Sequence, residues 1–362
     1  MWYVLASSPV DFDKFRRENE ADRMPRHLLI DIADRFDAEL SVPNPANVTR
    51  FDRAASTVYG QPHHWEQARR IRQHLTDGDS VFTTGCDSGV PLALLCILSR
   101  REVSFAIGFA DPSRVRSRIF GWLLAVLVKQ LIILVTVEQQ AIDVRRSFGR
   151  VASDVVTIGY TTDCAFFRPA GERAPDVARA VVAASGVERR DYVTLADAIS
   201  SMEVDGRVCF ASPNLSARTL YSMPDPVPPN VEFRYYEFDE LRTLYQHAAV
   251  TVVPLLENRQ SAGLTALFEA IACGSPVIIT RAPGIIDRLI ANDLVIGVDV
   301  GSVSDLRRAI KKVLTEPDEA RQRAERARTF LEQRYATEAF LDQIANLLAD
   351  LDAMGDINDN AT

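Results

Sequence analysis

The sequence predicts an α/β protein made of two Rossmann-like doubly wound domains that face a cleft. Short apolar runs alternate with longer helical patterns through most of the 362 residues, which is typical of parallel sheets covered by helices on both faces. This length is sufficient for two separate cores. The second half opens with its own complete strand, helix and strand, which favours two domains over one large sheet with long insertions.

The strands are predicted where short apolar runs stand between helical segments. In the first half they are Trp2–Ala6, Glu39–Val42, Ser80–Thr84, Val103–Gly108, Leu131–Val137 and Val155–Ile158. In the second half they are the runs ARAVVAAS, GRVCFAS, NVEFRYY, AVTVVPL and PVIIT. The first of these runs leads into a helix predicted over Tyr192–Met202, and helices dominate from Val303 onward.

The domain boundary is predicted where Pro, Gly and charged residues interrupt this alternation, between Cys164 and Asp176. We therefore expect a first Rossmann-like domain over residues 1–165 and a second Rossmann-like domain over residues 166–335. A C-terminal helix over residues 336–352 is expected to pack back on the first domain. The polar end GDINDNAT indicates a flexible tail over residues 353–362.

Composition and charge exclude some classes of protein. The chain has 41 basic and 49 acidic residues and a net charge of -8, so it lacks the dominating basic face that binding to nucleic acid needs. Its five cysteines are odd in number and scattered among apolar neighbours: Cys86, Cys96, Cys164, Cys209 and Cys273. That usage is typical of buried thiols in a reducing compartment and predicts a cytoplasmic protein without disulfides or a metal site.

One apolar segment, from Arg114 to Val137, raises the question of a membrane. Lys129 and Gln130 divide it into a basic, Trp-bearing amphipathic helix and a short β-branched strand. Each part is shorter than the roughly 20 apolar residues that a spanning helix needs. The helix can pack on a sheet, or it can make peripheral contact with an anionic membrane through Arg114 to Val128, and both alternatives remain open.

The segment from Asn258 to Thr280 is predicted to form a loop, a helix and a strand. Ser261 is predicted to cap the helix, and Gly274 before Pro276 ends it. At about 100° per residue, Ser261, Thr265 and Glu269 share one flank beside the apolar face. We expect that flank to line a cleft.

The start of this helix has the features of an anion site. Backbone amides of Ala262, Gly263 and Leu264 open the helix, and the positive end of its dipole can hold an anionic group such as a phosphate. Gly263 permits close approach of a ligand.

Two adjacent arginines are candidates for the same anion. Arg189 and Arg190 follow a turn at Ser185 and Gly186. Their forked guanidinium donors match phosphate oxygens and can stabilise negative charge. A simple solvated role for both arginines remains the alternative.

Four stretches in order resemble one known family. They are YTTDCAFFRPA from Tyr160, then VVAASGVERRDYVTLADAIS, then NVEFRYYEFDELRTLYQHAAVTVVP, and last NRQSAGLTALFEAIACGSPVIIT followed by RAPGIIDRLI. Over Val155 to Leu351 the chain is similar to the nucleotide-sugar-dependent glycosyltransferases of GT-B fold, particularly the family 4-like retaining enzymes. The resemblance implies transfer of a sugar from a nucleoside diphosphate to an unidentified acceptor, with retained anomeric configuration, no cofactor and no metal.

The resemblance also implies roles for individual residues. Arg190 stands where the family usually has a lysine that reaches the diphosphate, and Glu269 stands where a glutamate accepts the ribose hydroxyls. The third stretch approaches the nucleotide base with Tyr235, Tyr236, Glu237 and Phe238.

This sequence departs from the family at Ser261, where a glutamate normally contacts the donor sugar. The preceding polar run, which includes Asn258 and Gln260, can supply an alternative contact with the sugar. A different donor sugar, loss of transfer in a noncatalytic binding protein, and an epimerase or hydrolase of the nucleotide sugar therefore remain open.

On the acceptor side the candidates follow strands of the first domain. Asp87, Ser88 and Gly89 lie between a strand and a helix, and Asp111 ends another strand. Ordinary capping and turn roles remain open for them. His63 and His64 are predicted as an exposed loop pair, and no general base is assigned.

Overall fold

The computed structural model describes residues 1–108, 115–136, 138–148, 155–171, 179–210, 220–257 and 262–359. The chain divides into two compact units. Unit 1 comprises Met1–Arg16, Arg26–Gly159 and Phe340–Thr362, and unit 2 comprises Arg17–Pro25 and Tyr160–Ala339. The division after Gly159 lies a few residues before the expected stretch. The short segment Arg17–Pro25 joins unit 2 although it belongs to the first half of the sequence.

Unit 1 contains a parallel sheet of six strands in the order β2-β1-β3-β4-β5-β6. The strands are β1 (Trp2–Leu5), β2 (Glu39–Ser41), β3 (Ser80–Thr83), β4 (Ser104–Gly108), β5 (Leu131–Val135) and β6 (Val155–Thr157). The helices before Gly159 are α1 (Phe12–Glu20), α2 (Leu28–Arg35), α3 (Arg50–Ala55), α4 (Pro62–Arg72), α5 (Cys86–Leu98), α6 (Val115–Leu127) and α7 (Glu138–Phe148), with a short 3-10 turn at Pro45–Asn47.

Unit 2 contains a second parallel sheet of six strands, in the order β12-β11-β10-β7-β8-β9. The strands are β7 (Ala180–Ser185), β8 (Val204–Cys209), β9 (Val231–Arg234), β10 (Val250–Val253), β11 (Val277–Thr280) and β12 (Ile296–Val298). The helices of the second half are α8 (Tyr192–Ile199), α9 (Phe238–His247), α10 (Leu264–Ala272), α11 (Ile285–Ala291), α12 (Val303–Thr315), α13 (Pro317–Tyr335) and α14 (Thr337–Asp359).

Both sheets are buried on their two faces, which explains why their strands are continuous apolar runs. In β7, Val181 and Ala183 join the hydrophobic core on one side of the sheet. Val182 and Ala184 join the core on the other side. Successive side chains of a strand point to opposite faces, so an unbroken apolar run is what a strand covered by helices on both faces requires. The predicted two-domain doubly wound architecture is confirmed.

Every strand predicted from the sequence is present, with ends that differ by a few residues, although Val137, Ala211 and Ser212 lie outside the described residues. Strand β12 was missing from the prediction. It has only three residues at the edge of the sheet, one of them Gly297. A Cβ atom on Gly297 would lie 2.6 Å from Ile290 Cδ1. Close packing of α11 therefore favours a glycine in a strand that is too short to show an apolar pattern.

The predicted start of helix α10 is wrong. The helix begins at Leu264, and its N-cap is Gly263 in the left-handed conformation with φ 89°. Ser261, the expected cap, lies outside the described residues. A Cβ atom on Gly263 would stand 3.0 Å from Val253 and 3.2 Å from Leu255. Both the backbone conformation and the close approach to β10 therefore require glycine at this position.

All five cysteines are free, and four of them are buried, as expected from their apolar neighbours in the sequence. Among the residues that the structure describes, no helix combines the length and the apolar character that crossing a bilayer requires.

Candidate functional site

The strand order of unit 2 reverses between β7 and β10. The chain passes from β7 to β8 and β9 on one side, then returns to place β10 and β11 on the other side of β7. In doubly wound sheets such a switch point opens a crevice at the carboxyl ends of the two strands, where ligands bind. Here those ends are Ser185 and Val253.

The loop after β7 is fastened to the chain after β10 by backbone hydrogen bonds. The amide of Leu256 donates to the Arg189 carbonyl over 2.9 Å, and the amide of Asp191 donates to the Pro254 carbonyl over 3.0 Å. Asp191 also caps α8 by accepting from the Thr194 amide. These hydrogen bonds therefore hold the loop of residues 186–191 in a fixed position beside the switch point.

Arg190 belongs to this loop, and its side chain stabilises the conformation of the loop. Its side chain is buried, with Nε donating to the Ser185 carbonyl and Nη1 to the Glu188 carbonyl, each over 2.8 Å. A Cβ atom on Gly186, which has φ 88°, would stand 2.6 Å from Nη2. The expectation that Arg190 reaches out to an anion thus differs from its observed place, because two backbone carbonyls already accept from it.

Arg189 is the more exposed cation of the same loop. It is half-buried and has a positive φ of 54°. Its Nη1 donates to the Glu257 carbonyl over 3.1 Å. That contact holds the guanidinium beside the chain that leads from β10 toward α10.

The amino end of α10 follows directly from β10. Gly263 has no side chain, and α10 has no side-chain cap among the described residues. The first amides of a helix have no partner within the helix and carry the positive end of its dipole. Ala262 and Gly263 are half-buried and Leu264 is buried, whereas Thr265 is exposed. The end of this helix can therefore bind an anion through its backbone.

Glu269, one turn beyond Thr265, is buried in the core of unit 2 with 8% of its surface exposed. Its Oε2 accepts a hydrogen bond from the Tyr245 hydroxyl over 3.3 Å. That hydroxyl lies 2.5 Å from Ser185 Oγ at the end of β7. The flank predicted to line a cleft thus runs from an exposed threonine to a buried carboxyl.

Burial governs the protonation of this carboxyl. Removal from water raises the pKa of Glu269 to about 8, although the Tyr245 hydrogen bond and the charge of Arg190 act in the opposite direction. The pKa of the Tyr245 hydroxyl is also raised, mainly by burial and next by Glu269. At neutral pH the carboxyl is therefore mostly neutral, and the three side chains form one hydrogen-bonded group.

The residues expected near a nucleotide base lie at the start of α9. Tyr235 is 59% exposed and donates to Glu237 Oε2, whereas Tyr236 is buried with the Arg234 guanidinium 3.7 Å from its ring centre. The amide of Glu237 donates to Glu240 in the first turn of α9. Phe238 packs against the core. Of the four, Tyr235 therefore presents its ring most fully to solvent.

In unit 1 the strand order reverses between β1 and β3, and α5 begins there. Asp87 in the first turn of α5 is exposed. Ser88 is fully buried and donates to the Ala6 carbonyl, and Gly89 packs so closely that a Cβ atom would stand 2.9 Å from Ile107. Ser88 and Gly89 hold α5 against the sheet, so Asp87 is the accessible member of that group.

The expectation for the histidine pair is wrong. His63 and His64 lie in the first turn of α4, and His64 is buried. Its Nδ1 accepts from the Gln61 amide and its Nε2 is 2.7 Å from the Ser7 carbonyl, so Nε2 carries the proton. Burial lowers the pKa of His64, which favours this neutral form.

Four predicted contacts, Asn258, Gln260, Ser261 and Asp111, lie outside the described residues. Within the described part of the chain, no three His, Cys, Asp or Glu side chains come together as a metal site.

Two residues of the candidate site, Tyr245 and Ser222, were not predicted from the sequence. Tyr245 stands 24 residues before Glu269, and its position in α9 resembles any other buried aromatic of an amphipathic helix. Ser222, whose hydroxyl donates to Asp191 over 2.8 Å, lies in a stretch rich in proline. No local pattern marks either residue, because each contact depends on the packing of separate segments.

Residues 227–330 match the family model of glycosyl transferases group 1. No curated protein sequence matches the chain. The solved structures similar to it include HepE of Anabaena in complex with UDP and glucose, at a TM-score of 0.64 and 14% identity, over 96% of this chain and 99% of that one. Sucrose-phosphate synthase from Thermosynechococcus elongatus is similar at a TM-score of 0.69 and 16% identity, over 98% and 99% of the two chains.

A glycosyltransferase from Rickettsia africae is similar at a TM-score of 0.66 and 13% identity, over 97% of this chain and 98% of that one. These similarities show the two-domain Rossmann-like fold of GT-B enzymes.

Proposed function

We propose that the protein transfers a sugar from a uridine diphosphate sugar to an acceptor, with retained anomeric configuration and without a metal ion. The choice of uridine diphosphate is supported by HepE, which has been solved with UDP and with UDP-glucose. The observation that carries the proposal is the amino end of α10, opened by the left-handed Gly263 at the switch point of unit 2. It is a site suited to a diphosphate.

Charge on the leaving diphosphate is stabilised by groups of this chain. The amides of Leu264 and Thr265 and the dipole of α10 favour a negative charge at that end. Arg189 adds a cation from the facing loop, and Arg190 holds that loop in place through its carbonyl contacts. These donors supply the charge stabilisation that a divalent ion supplies in other enzymes.

Glu269 is the acceptor for the ribose hydroxyls in this proposal. Its Oε2 is engaged by Tyr245, and a carboxylate can accept further hydrogen bonds through its remaining lone pairs. Tyr245 orients the carboxyl through its hydrogen bond, and Ser185 in turn contacts the Tyr245 hydroxyl. A ribose that donates to it favours the ionised form, so nucleotide binding is coupled to loss of a proton.

A panel of UDP, GDP, ADP and TDP sugars in a thermal-shift assay tests the donor. A ligand at 100 times its dissociation constant stabilises the folded state by roughly 2.7 kcal/mol. We expect a shift with UDP-glucose or another UDP sugar, and release of UDP on incubation with acceptor extracts. Chelation by EDTA leaves that release unchanged. Unchanged melting temperatures with every donor contradict the proposal.

A noncatalytic nucleotide-sugar-binding protein is the second candidate. It is favoured by Ser261, which stands where the family that the sequence resembles usually has a sugar-binding glutamate, and by the inward position of Arg190. Both candidates predict a thermal shift, so only a measurement of turnover distinguishes them. A shift without UDP release, in the presence of any acceptor extract, favours the noncatalytic protein. Release with a retained anomeric product favours the transferase.

A further inference from the structure

Helix α6 of unit 1 has apolar residues on two opposite faces. Ser117, Gly121 and Leu124 are buried against the rest of the unit. The outer face carries four exposed apolar residues: Val115 at 60%, Ile119 at 55%, Trp122 at 49% and Val126 at 48%. The inner face accounts for the attachment of the helix to the fold, but the outer face does not.

The outer residues form one continuous stripe. At about 100° per residue, positions 115, 119, 122 and 126 fall within about 60° of each other around the helix axis. A surface helix of a globular domain normally presents polar residues on that side. Single exposed apolar residues need no explanation, but a contiguous group rimmed by polar residues marks an interaction surface.

Positive charge borders the stripe. On the same helical projection, Arg116 lies on one side of it and Arg118 on the other, and both are exposed. The sequence has no acidic residue from Val115 to Lys129, although the whole chain has a net charge of -8. Lys129, just beyond the helix, is paired with Glu102. Within the described part of the chain, Arg116 and Arg118 have no carboxylate partner, so the positive charge of α6 is concentrated in its first two turns.

The charges beside the apolar stripe indicate which kind of partner surface the stripe can contact. In a symmetric contact between two copies, the same patch meets itself, so Arg116 and Arg118 of both copies would approach each other. The neighbouring helix α7 carries both signs, with Arg145 near Glu138 and Arg146 near Asp143. It supplies no compensating acidic face. An anionic lipid surface, by contrast, accepts the apolar stripe and attracts the arginines at once.

We propose that α6 docks on an anionic lipid bilayer and lies in the plane of its interface. Ile119, Trp122 and Val126 insert among the acyl chains near the headgroups, and Arg116 and Arg118 contact the lipid phosphates. The indole of Trp122 combines an apolar body with a polar N–H, which suits this depth. The helix has 13 residues, too few to span the roughly 30 Å core of a bilayer. The inference is independent of the proposed sugar transfer.

Flotation with lipid vesicles tests the proposal. The full chain is expected to float with vesicles of mixed phosphatidylglycerol and phosphatidylcholine, and to remain in solution with phosphatidylcholine alone. Each of Arg116→Gln and Arg118→Gln is expected to raise the dissociation constant for the anionic vesicles about fivefold, because one basic residue near an anionic surface strengthens binding by about that factor. Trp122→Glu lowers the bound fraction at least as much. The matched control Val300→Glu changes an apolar residue of similar exposure, 47%, in unit 2 and leaves binding intact.

The tryptophan emission of the parent protein supplies a second readout. Of the three tryptophans, Trp65 is buried and Trp2 half-buried, whereas Trp122 is exposed. Anionic vesicles are expected to shift the emission to shorter wavelength, and Trp122→Phe is expected to remove that shift while the protein still floats.

Three results would overturn the proposal. They are absence of the protein from floating anionic vesicles, equal flotation with neutral vesicles, and flotation that survives Trp122→Glu. A concentration-dependent dimer that Trp122→Glu dissolves, without vesicle binding, would assign the stripe to a second copy instead.

Discussion

The hydroxyl of Tyr245 on α9 donates to the carboxyl of Glu269 on α10 across 3.3 Å in the core of unit 2. The same hydroxyl lies 2.5 Å from Ser185 Oγ at the carboxyl end of β7. Three elements that border the switch point are therefore connected by one buried polar group. Since burial raises the pKa of Glu269 to about 8, this group makes both stability and ligand binding sensitive to pH.

The first prediction concerns stability. The folded-state pKa of Glu269 lies above its ordinary value of 4.5, so the folded protein holds a proton that the unfolded chain releases. Stability from this group is fully present below pH 4.5 and is lost as pH rises through about 8, with a slope of up to about 1.4 kcal/mol per pH unit. Glu269→Gln removes that slope.

Urea unfolding of the parent and of Glu269→Gln between pH 5 and pH 9 measures this effect. The difference between the two free energies of unfolding isolates Glu269 from the other carboxyl groups. A difference that stays constant across that range contradicts the buried, protonated state.

The second prediction concerns affinity. If the ribose hydroxyls donate to the ionised carboxyl, the dissociation constant of UDP falls as pH rises and levels off above about 8. Below that pH the change approaches tenfold per pH unit, because binding must remove one proton. Titration calorimetry in two buffers of different ionisation enthalpy detects the released proton. A UDP affinity that does not vary with pH, with no proton released, removes Glu269 from the ribose site.

The third prediction separates two neighbouring arginines. Arg189→Gln leaves the melting temperature nearly unchanged and weakens UDP binding at least tenfold, since a charge-assisted hydrogen bond contributes about 1.5–3 kcal/mol. Arg190→Gln lowers the free energy of unfolding by about 2 kcal/mol, because the carbonyl of the buried Ser185 loses its donor, as does the carbonyl of the exposed Glu188. Each variant serves as the control for the other. The reverse pattern, with Arg190→Gln stable but unable to bind, would make Arg190 the direct ligand.

The difference between these arginines could not be read from the sequence. The pair Arg189 and Arg190 was recognisable after a glycine turn, but their directions depend on the backbone, in which Arg189 adopts a positive φ of 54°. Likewise, periodicity places Glu269 beside the apolar face of α10. Its burial depends on Tyr245 from a separate helix, and no single-segment pattern contains that information.

The architecture was more readily predictable because it depends on local patterns. Apolar runs of β7 and β10 identify strands covered on both sides, and these two strands define the switch point. The segment Arg17–Pro25 is the exception. Asp22 pairs with Arg168 and Arg242, which lie 146 and 220 residues away, so only the folded chain places it in unit 2.

The fourth prediction concerns the contact of Asp22 with Arg168 and Arg242. Hydrogen bonds first from Arg168 and then from Arg242 lower the pKa of Asp22 below its ordinary value of 3.8. The stabilisation is therefore present above pH 3.8 and is lost as pH falls below it. Asp22 is 48% exposed, so solvent screens the pair, and Asp22→Asn lowers the free energy of unfolding by about 1 kcal/mol or less.

A double-mutant cycle of Asp22→Asn with Arg242→Gln, at low and high salt, measures this coupling. We expect a coupling energy that shrinks with added salt. Strict additivity of the two changes at low salt would show that the contact contributes nothing to stability.

The central claim is that a nucleoside diphosphate binds at the amino end of α10, and titration calorimetry with UDP and with uridine tests it most directly. We predict that UDP binds at least 100-fold more tightly than uridine to the parent protein. Gly263→Ala should remove most of that difference, because its Cβ atom is strained at φ 89° and approaches Val253 and Leu255. Gly78→Ala, at φ 87° with open space around it, should retain it. Equal affinity of the parent protein for UDP and uridine, or an unchanged preference in Gly263→Ala, would contradict the account.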